Sequence, residues 1–212
     1  MDRTRRGYLA AAAGVGLGAT AGCLGGGSSG ASGCTIEDEP TVSELAAPTL
    51  GPSDADVTVL AFEDFACPHC ATYSLEVFPQ LRSEYVESGV VRYEFHDFPI
   101  PVDERWSWQA ASAARGVQDE TDDETFFEYS HALFENQGDF SQARITELAN
   151  DVEAPGCAIQ ADAVNETYRP VIEADRQRAV DRGAGGTPAV FVAGRAVSPT
   201  YDAIASAIEA ER

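Results

Sequence analysis

Cys67 and Cys70 enclose Pro68 and His69, and this Cys-Pro-His-Cys run holds the residues best suited to chemistry. A Cys-x-x-Cys pair serves either as half of a zinc site or as a redox couple. Zinc knuckles usually present two such pairs on tight turns, and this chain has one. Beyond Cys23 the other cysteines are Cys34 and Cys157, and neither has a near neighbour. The redox reading therefore leads. A module holding copper or zinc through Cys67, Cys70 and His69 is the alternative. His96 and His131 read as surface or half-buried residues, and two isolated histidines make no metal site. No cofactor is expected beyond the cysteine pair itself.

The flanking sequence says how the pair is held. Thr58 to Ala66 is almost continuously apolar until Glu63 and Asp64, as in a strand buried on both faces. It runs directly into the cysteines. Tyr73, Val77, Leu81 and Tyr85 then recur every fourth residue, the spacing of one helical face, and Pro79 predicts a kink. Pro68 suits the first helical position, where its missing N–H costs nothing. Cys67 then becomes the N-cap, its sulfur facing free amides and the positive end of the helix dipole. Those conditions favour the thiolate. Cys70, one turn further in, is more buried, so Cys67 attacks and Cys70 resolves. His69 adds a donor and, when protonated, a positive charge. Stabilising the thiolate stabilises the reduced form and makes the disulfide a stronger oxidant, which points toward disulfide donation.

The remaining elements complete an α/β order of strand, helix, strand, helical block, strand, helix. Gly89 to Phe98 alternates, with Val91, Tyr93 and Phe95 on one side and Arg92, Glu94 and His96 on a wetter one. A helical block spans about 103–182: Trp106 to Val117, a capping box at Thr121-x-x-Glu124, a stripe of Ile145, Leu148 and Val152, and one helix or a broken pair around Pro170. Gly186-Thr187-Pro188 leads into the short strand Ala189 to Val192, and a last helix follows Ser198-Pro199. A proline opening a central strand is unexpected unless its bond is cis.

Phe62 through Cys70, the helical insertion, and Gly186-Thr187-Pro188 followed by Val190-Phe191-Val192 together resemble the DsbA-like branch of the thioredoxin superfamily. The resemblance spans about 41–212 and implies a thioredoxin fold with an inserted helical subdomain. It implies that Cys67 is the nucleophile, Cys70 the resolving thiol and His69, with Pro68, the tuner. Thr187 and Pro188 would be the substrate-side cis-proline loop. Cysteine-containing exported proteins would be the clients, and a membrane redox partner would reoxidise the pair. Thr187 departs from the Val of DsbA itself. Isomerase relatives carry Thr there, so a reductase or isomerase of the same fold stays open.

Other residues carry weaker signals. Glu63 or Asp64 could relay the Cys70 proton, and strand alternation lets at most one of them face the site, unless both form a solvated strand end. Cys34 and Cys157 could pair, closing a long loop worth about 4–5 kcal/mol in the chain-entropy model. Alternatively they are independent thiols, with Cys157 packed as a small hydrophobe. Trp106 and Trp108 read as core, with a peptide groove as the other possibility. Asn165-Glu166-Thr167 is a glycosylation triplet, but it falls in a predicted helix.

The N-terminus reads as an address. Arg5-Arg6 before Tyr8-Leu9 and a short apolar run resembles a twin-arginine export signal over 1–22. Small residues before Cys23 resemble a lipobox, with an ordinary cleavage site as the alternative. The Gly/Ser-rich stretch within 23–40 is a flexible tether. The expected location is the outer face of the cytoplasmic membrane, where the chain is held by a lipid on Cys23 and disulfides persist. Thirty-five acidic residues face 14 basic ones, all of them Arg. That charge repels nucleic acid and anionic lipid, leaving the lipid as the only membrane contact. Acid excess without Lys resembles the exported lipoproteins of salt-loving archaea.

Overall fold

The computed structural model describes residues 33–38, 40–100 and 102–212. The twin-arginine segment, Cys23 and most of the tether lie outside the described residues. Strands β1 (Thr49–Leu50), β2 (Val57–Glu63), β3 (Val91–Asp97), β4 (Ala189–Val192) and β5 (Arg195–Val197) form one sheet in the order β1-β3-β2-β4-β5. β2 is central, parallel to β3 and antiparallel to β4. It is buried throughout from Val59 to Glu63, as its apolar run requires. The edge strands β1 and β5 were not legible beforehand. At two and three residues they carry no periodicity, and they form because β3 and β4 offer them free hydrogen-bonding edges.

The helix after the cysteines is not a plain α-helix. It runs as α1 (Pro68–Thr72), a π-helical turn (Tyr73–Val77), α2 (Phe78–Leu81) and a second π-helical turn (Arg82–Val86). Pro79 falls in the first turn of α2, directly after the first π-turn. Its missing N–H is absorbed by a change of helical register where the sequence predicted a kink.

Five helices separate β3 from β4: α3 (Trp106–Glu120), α4 (Asp123–Glu135), α5 (Gln142–Asp151), α6 (Gly156–Asn165) and α7 (Arg169–Asp181). A 3-10 turn at Gln137–Asp139 follows α4, and α8 (Tyr201–Glu211) closes the chain. The α4 cap lies one residue beyond the expected box. Asp122 accepts from the Thr125 amide at 2.9 Å, while the Thr121 hydroxyl donates back to the Val117 carbonyl and closes α3. A carboxylate at a helix N-terminus gains from the dipole as well as the hydrogen bond, so Asp122 outcompetes Thr121. Pro170 opens α7, so the pair is broken.

His96 corrects the reading of β3: it is fully buried, not half-buried. α7 crosses the end of β3 and brings Asp175 to 2.7 Å from His96 Nδ1. Beside it Arg115 of α3, also fully buried, donates to Asp97 and Asp175 at 2.6 Å each and to the Ala46 carbonyl at 3.2 Å. One guanidinium thus ties sheet, insertion and N-terminal segment together. That segment lies along the helical block, with Cys34 bonded to Cys157 at a Cα separation of 5.4 Å. Asn165 donates to the Glu37 carbonyl at 2.7 Å and Thr167 is fully buried, so the glycosylation triplet is occupied by packing. Trp106 packs on Phe140, and Trp108 lies under the Arg169 guanidinium at 4.0 Å.

Candidate active site

The turn from β2 into α1 is built from both sides. Phe65 is fully buried between Phe95 and Phe134, with ring centroids 5.5 and 4.9 Å away. Cys67 follows as the N-cap with φ −84° and ψ 120°, and Pro68 lies in the first turn. The Cys67 carbonyl accepts from the Cys70 and Ala71 amides at 3.0 and 3.1 Å. The Cys67 sulfur is left facing the helix N-terminus. Both cysteines are free thiols, Cys67 3% and Cys70 0% exposed.

Their acidities are driven apart. A hydrogen bond from Cys70 lowers Cys67 to about 5, helped by Thr187 and the Cys70 and His69 amides and opposed by burial. Burial pushes Cys70 far up, followed by its hydrogen bond with Cys67 and the charge of Glu63. At neutral pH the pair holds one thiolate and one thiol, with the charge on the outer sulfur. The His69 ring is exposed, and its contribution to Cys67 comes from its backbone amide.

Glu63 and Asp64 are both buried, so neither is a solvated strand end. Their surroundings differ. Burial raises Glu63 to about 8 against a 2.6 Å hydrogen bond from Ser74, the Cys67 charge adds to the rise, and the Glu63 charge in turn acts on Cys70. Asp64 spends its oxygens on structure, accepting from the Ala66 and Ile100 amides at 2.8 Å and from the Ser107 hydroxyl at 2.9 Å. Glu63 is thus an acid with a proton to give at neutral pH, and Asp64 is a staple.

Thr187 and Pro188 are joined by a cis peptide bond, and the Thr187 carbonyl lies 3.6 Å from Cys67 Sγ. A groove of about 300 Å³ runs past them, lined by His69, Thr72, Tyr73, Val77 and Pro199 as well. Trp106 and Trp108 are not part of it. Ser74, Ser107 and Gln137 escaped the sequence reading. Gln137 stands in a polar turn with no local signal, yet its side chain donates to the Phe65 and Cys67 carbonyls, each at 2.8 Å. Ser74 faces inward on the π-helical turn. Among the described residues no three His, Cys, Asp or Glu side chains converge as metal ligands would.

Known proteins share this arrangement. The thioredoxin family model matches residues 43–210. The "Probable disulfide bond formation protein D" of Bacillus anthracis is 30% identical over 170 residues, 77% of each chain. The disulfide bond formation protein D of Bacillus subtilis is 28% identical over 172 residues, covering 77% of this chain and 76% of that one. Oxidised BdbD from Bacillus subtilis superposes with a TM-score of 0.72 at 25% identity, covering 82% of this chain and 98% of that chain. Chlamydia trachomatis DsbA, at 20% identity and a TM-score of 0.71 over 82% and 96%, shares the fold. A buried strand ending in an N-cap thiolate, faced by a cis-proline loop and roofed by inserted helices, therefore has its place: the chain belongs to the thioredoxin family, among the DsbA-type protein-disulfide oxidoreductases.

Proposed function

We propose that the protein donates disulfides to cysteine-containing exported proteins from the outer face of the cytoplasmic membrane. A lipid on Cys23 anchors it there, and a membrane redox partner reoxidises it. The observation that carries the direction is the opposed acidity of Cys67 and Cys70. A client thiolate attacks Cys67 Sγ, the Cys67–Cys70 bond breaks, and Cys70 leaves. Glu63, still protonated at neutral pH, supplies the proton that Cys70 takes up. A second client thiolate then attacks the client sulfur of the mixed disulfide and Cys67 departs as a stabilised thiolate. The client loses two electrons and the enzyme gains them. Because Cys67 leaves easily and is stable once free, the equilibrium favours the reduced enzyme.

The test is the reduction potential, measured in high salt by equilibration with glutathione. A value nearer about −120 mV than about −270 mV is expected. A value at the lower end would reverse the direction and make the protein a reductase. Glu63 has its own measurement. Glu63→Gln is expected to slow reduction of the Cys67–Cys70 bond by about 10²-fold at pH 7 and to remove the rate's dependence on a group near pH 8. An unchanged pH–rate profile would discard Glu63 as the proton source.

A further inference from the structure

We propose that Gln137 is a positioning residue for the nucleophile: its side-chain amide, carried by the helical insertion, holds the loop that aims Cys67 at the helix N-terminus. Gln137 begins the 3-10 turn after α4 and is half-buried. Its Nε2 donates to the carbonyls of Phe65 and Cys67, each at 2.8 Å. A primary amide has two N–H donors in one plane at a fixed angle, so both are spent on this loop.

The hydrogen bonds of the loop divide cleanly between two braces. The Ala66 amide goes to the Asp64 side chain and the Cys67 amide to the Asp64 carbonyl. The Phe65 and Cys67 carbonyls go to Gln137. N–H groups are held by the strand end, C=O groups by the insertion. The Cys67 carbonyl is also the oxygen that starts α1, accepting from Cys70 and Ala71. Fixing that oxygen fixes the peptide plane next to Cys67 and with it the direction of Sγ toward the His69 and Cys70 amides. Electrostatics act in the same sense. The donors of Gln137 offset the negative ends of two carbonyl dipoles beside the thiolate. Losing them leaves the negative ends of those dipoles uncompensated, so Cys67 should hold its proton more tightly. The effect is the same whichever way the enzyme runs.

The experiment compares wild type with Gln137→Met, which keeps the length and removes the donors, and with Gln137→Glu, which sets an acceptor against two carbonyls. Thiolate absorbance is titrated against pH, and the equilibrium with glutathione is measured at the same salt. Far-UV circular dichroism and melting report on the fold. In Gln137→Met the thiolate midpoint is expected to rise and the equilibrium to move toward the oxidised enzyme by about 3–10-fold, the worth of one ordinary hydrogen bond. Gln137→Glu is expected to exceed it. If Gln137→Glu fails to fold, Gln137→Met decides alone. A folded Gln137→Met that melts lower but keeps the wild-type midpoint and glutathione equilibrium would overturn the proposal and leave Gln137 a structural brace.

Discussion

Cys70→Ser is expected to leave attack by Cys67 intact and to stop the reaction at an intermolecular disulfide. Attack needs only the Cys67 thiolate, whose affinity for its proton is lowered first by the hydrogen bond from residue 70 and then by Thr187 and the cap amides. Serine can still donate a hydrogen bond to that sulfur, so much of its stabilisation survives. Resolution needs a second sulfur held within bonding range. Cys70 supplies it at an effective concentration far above any thiol in solution. Without it, reduction of a peptide held in an intermolecular disulfide should fall on the order of 10³-fold or more, and the peptide–Cys67 mixed disulfide, formed as Cys67 displaces one peptide thiolate, should accumulate with a mass that reads directly. Cys67→Ser should form no adduct at all. Alkylation of Cys67 in wild type should be half-maximal near pH 5 and flat above neutrality, because the thiolate fraction is already complete. If neither variant trapped peptide while both lost affinity for copper or zinc, the metal-binding alternative would take over.

Arg115→Met should cost about 3–5 kcal/mol, more than any exposed ion pair in the protein, because it strands charges that water does not reach. Arg115 is fully buried and grips Asp97, Asp175, Gln118 and the Ala46 carbonyl. Removing it leaves Asp97 and Asp175 facing each other, with the His96 ring on Asp175 and Arg178 beyond that ring. Burial already holds Asp97 up at about 6 even beside the guanidinium, and the variant raises it further. The sign of the pH dependence follows. Below pH 6 Asp97 is protonated in both proteins and one stranded charge disappears, so the loss should shrink in acid and be largest above neutrality. Added salt should not restore stability, since a pair out of water is little screened, whereas exposed bridges such as Arg144–Glu147 fade. Chemical denaturation at pH 5 and pH 8, in low and high salt, measures all of this. A loss under about 1 kcal/mol, or one independent of pH, would mean that the network is hydrated and mechanically idle.

Sequence determined the parts of this protein that rest on local rules. An apolar run long enough for a strand, a proline at a helix start and two cysteines one turn apart place Cys67 at an N-cap, whatever the rest of the chain does. Each is a matter of a few adjacent residues, where periodicity and dipole direction are properties of the segment itself. Tertiary structure decided which polar groups are hidden and what they meet. His96 looked like the wet face of a strand until α7 covered it, and Arg115 carried no local signal that it would be buried. Strand alternation could not separate Glu63 from Asp64, because the difference lies in what packs on them: Ser74 on a π-helical turn for one, the Ile100 amide and Ser107 for the other. Gln137 reaches carbonyls 70 and 72 positions away in the chain. Desolvation and long-range hydrogen bonding depend on which surfaces meet, and no window of neighbouring residues contains that information.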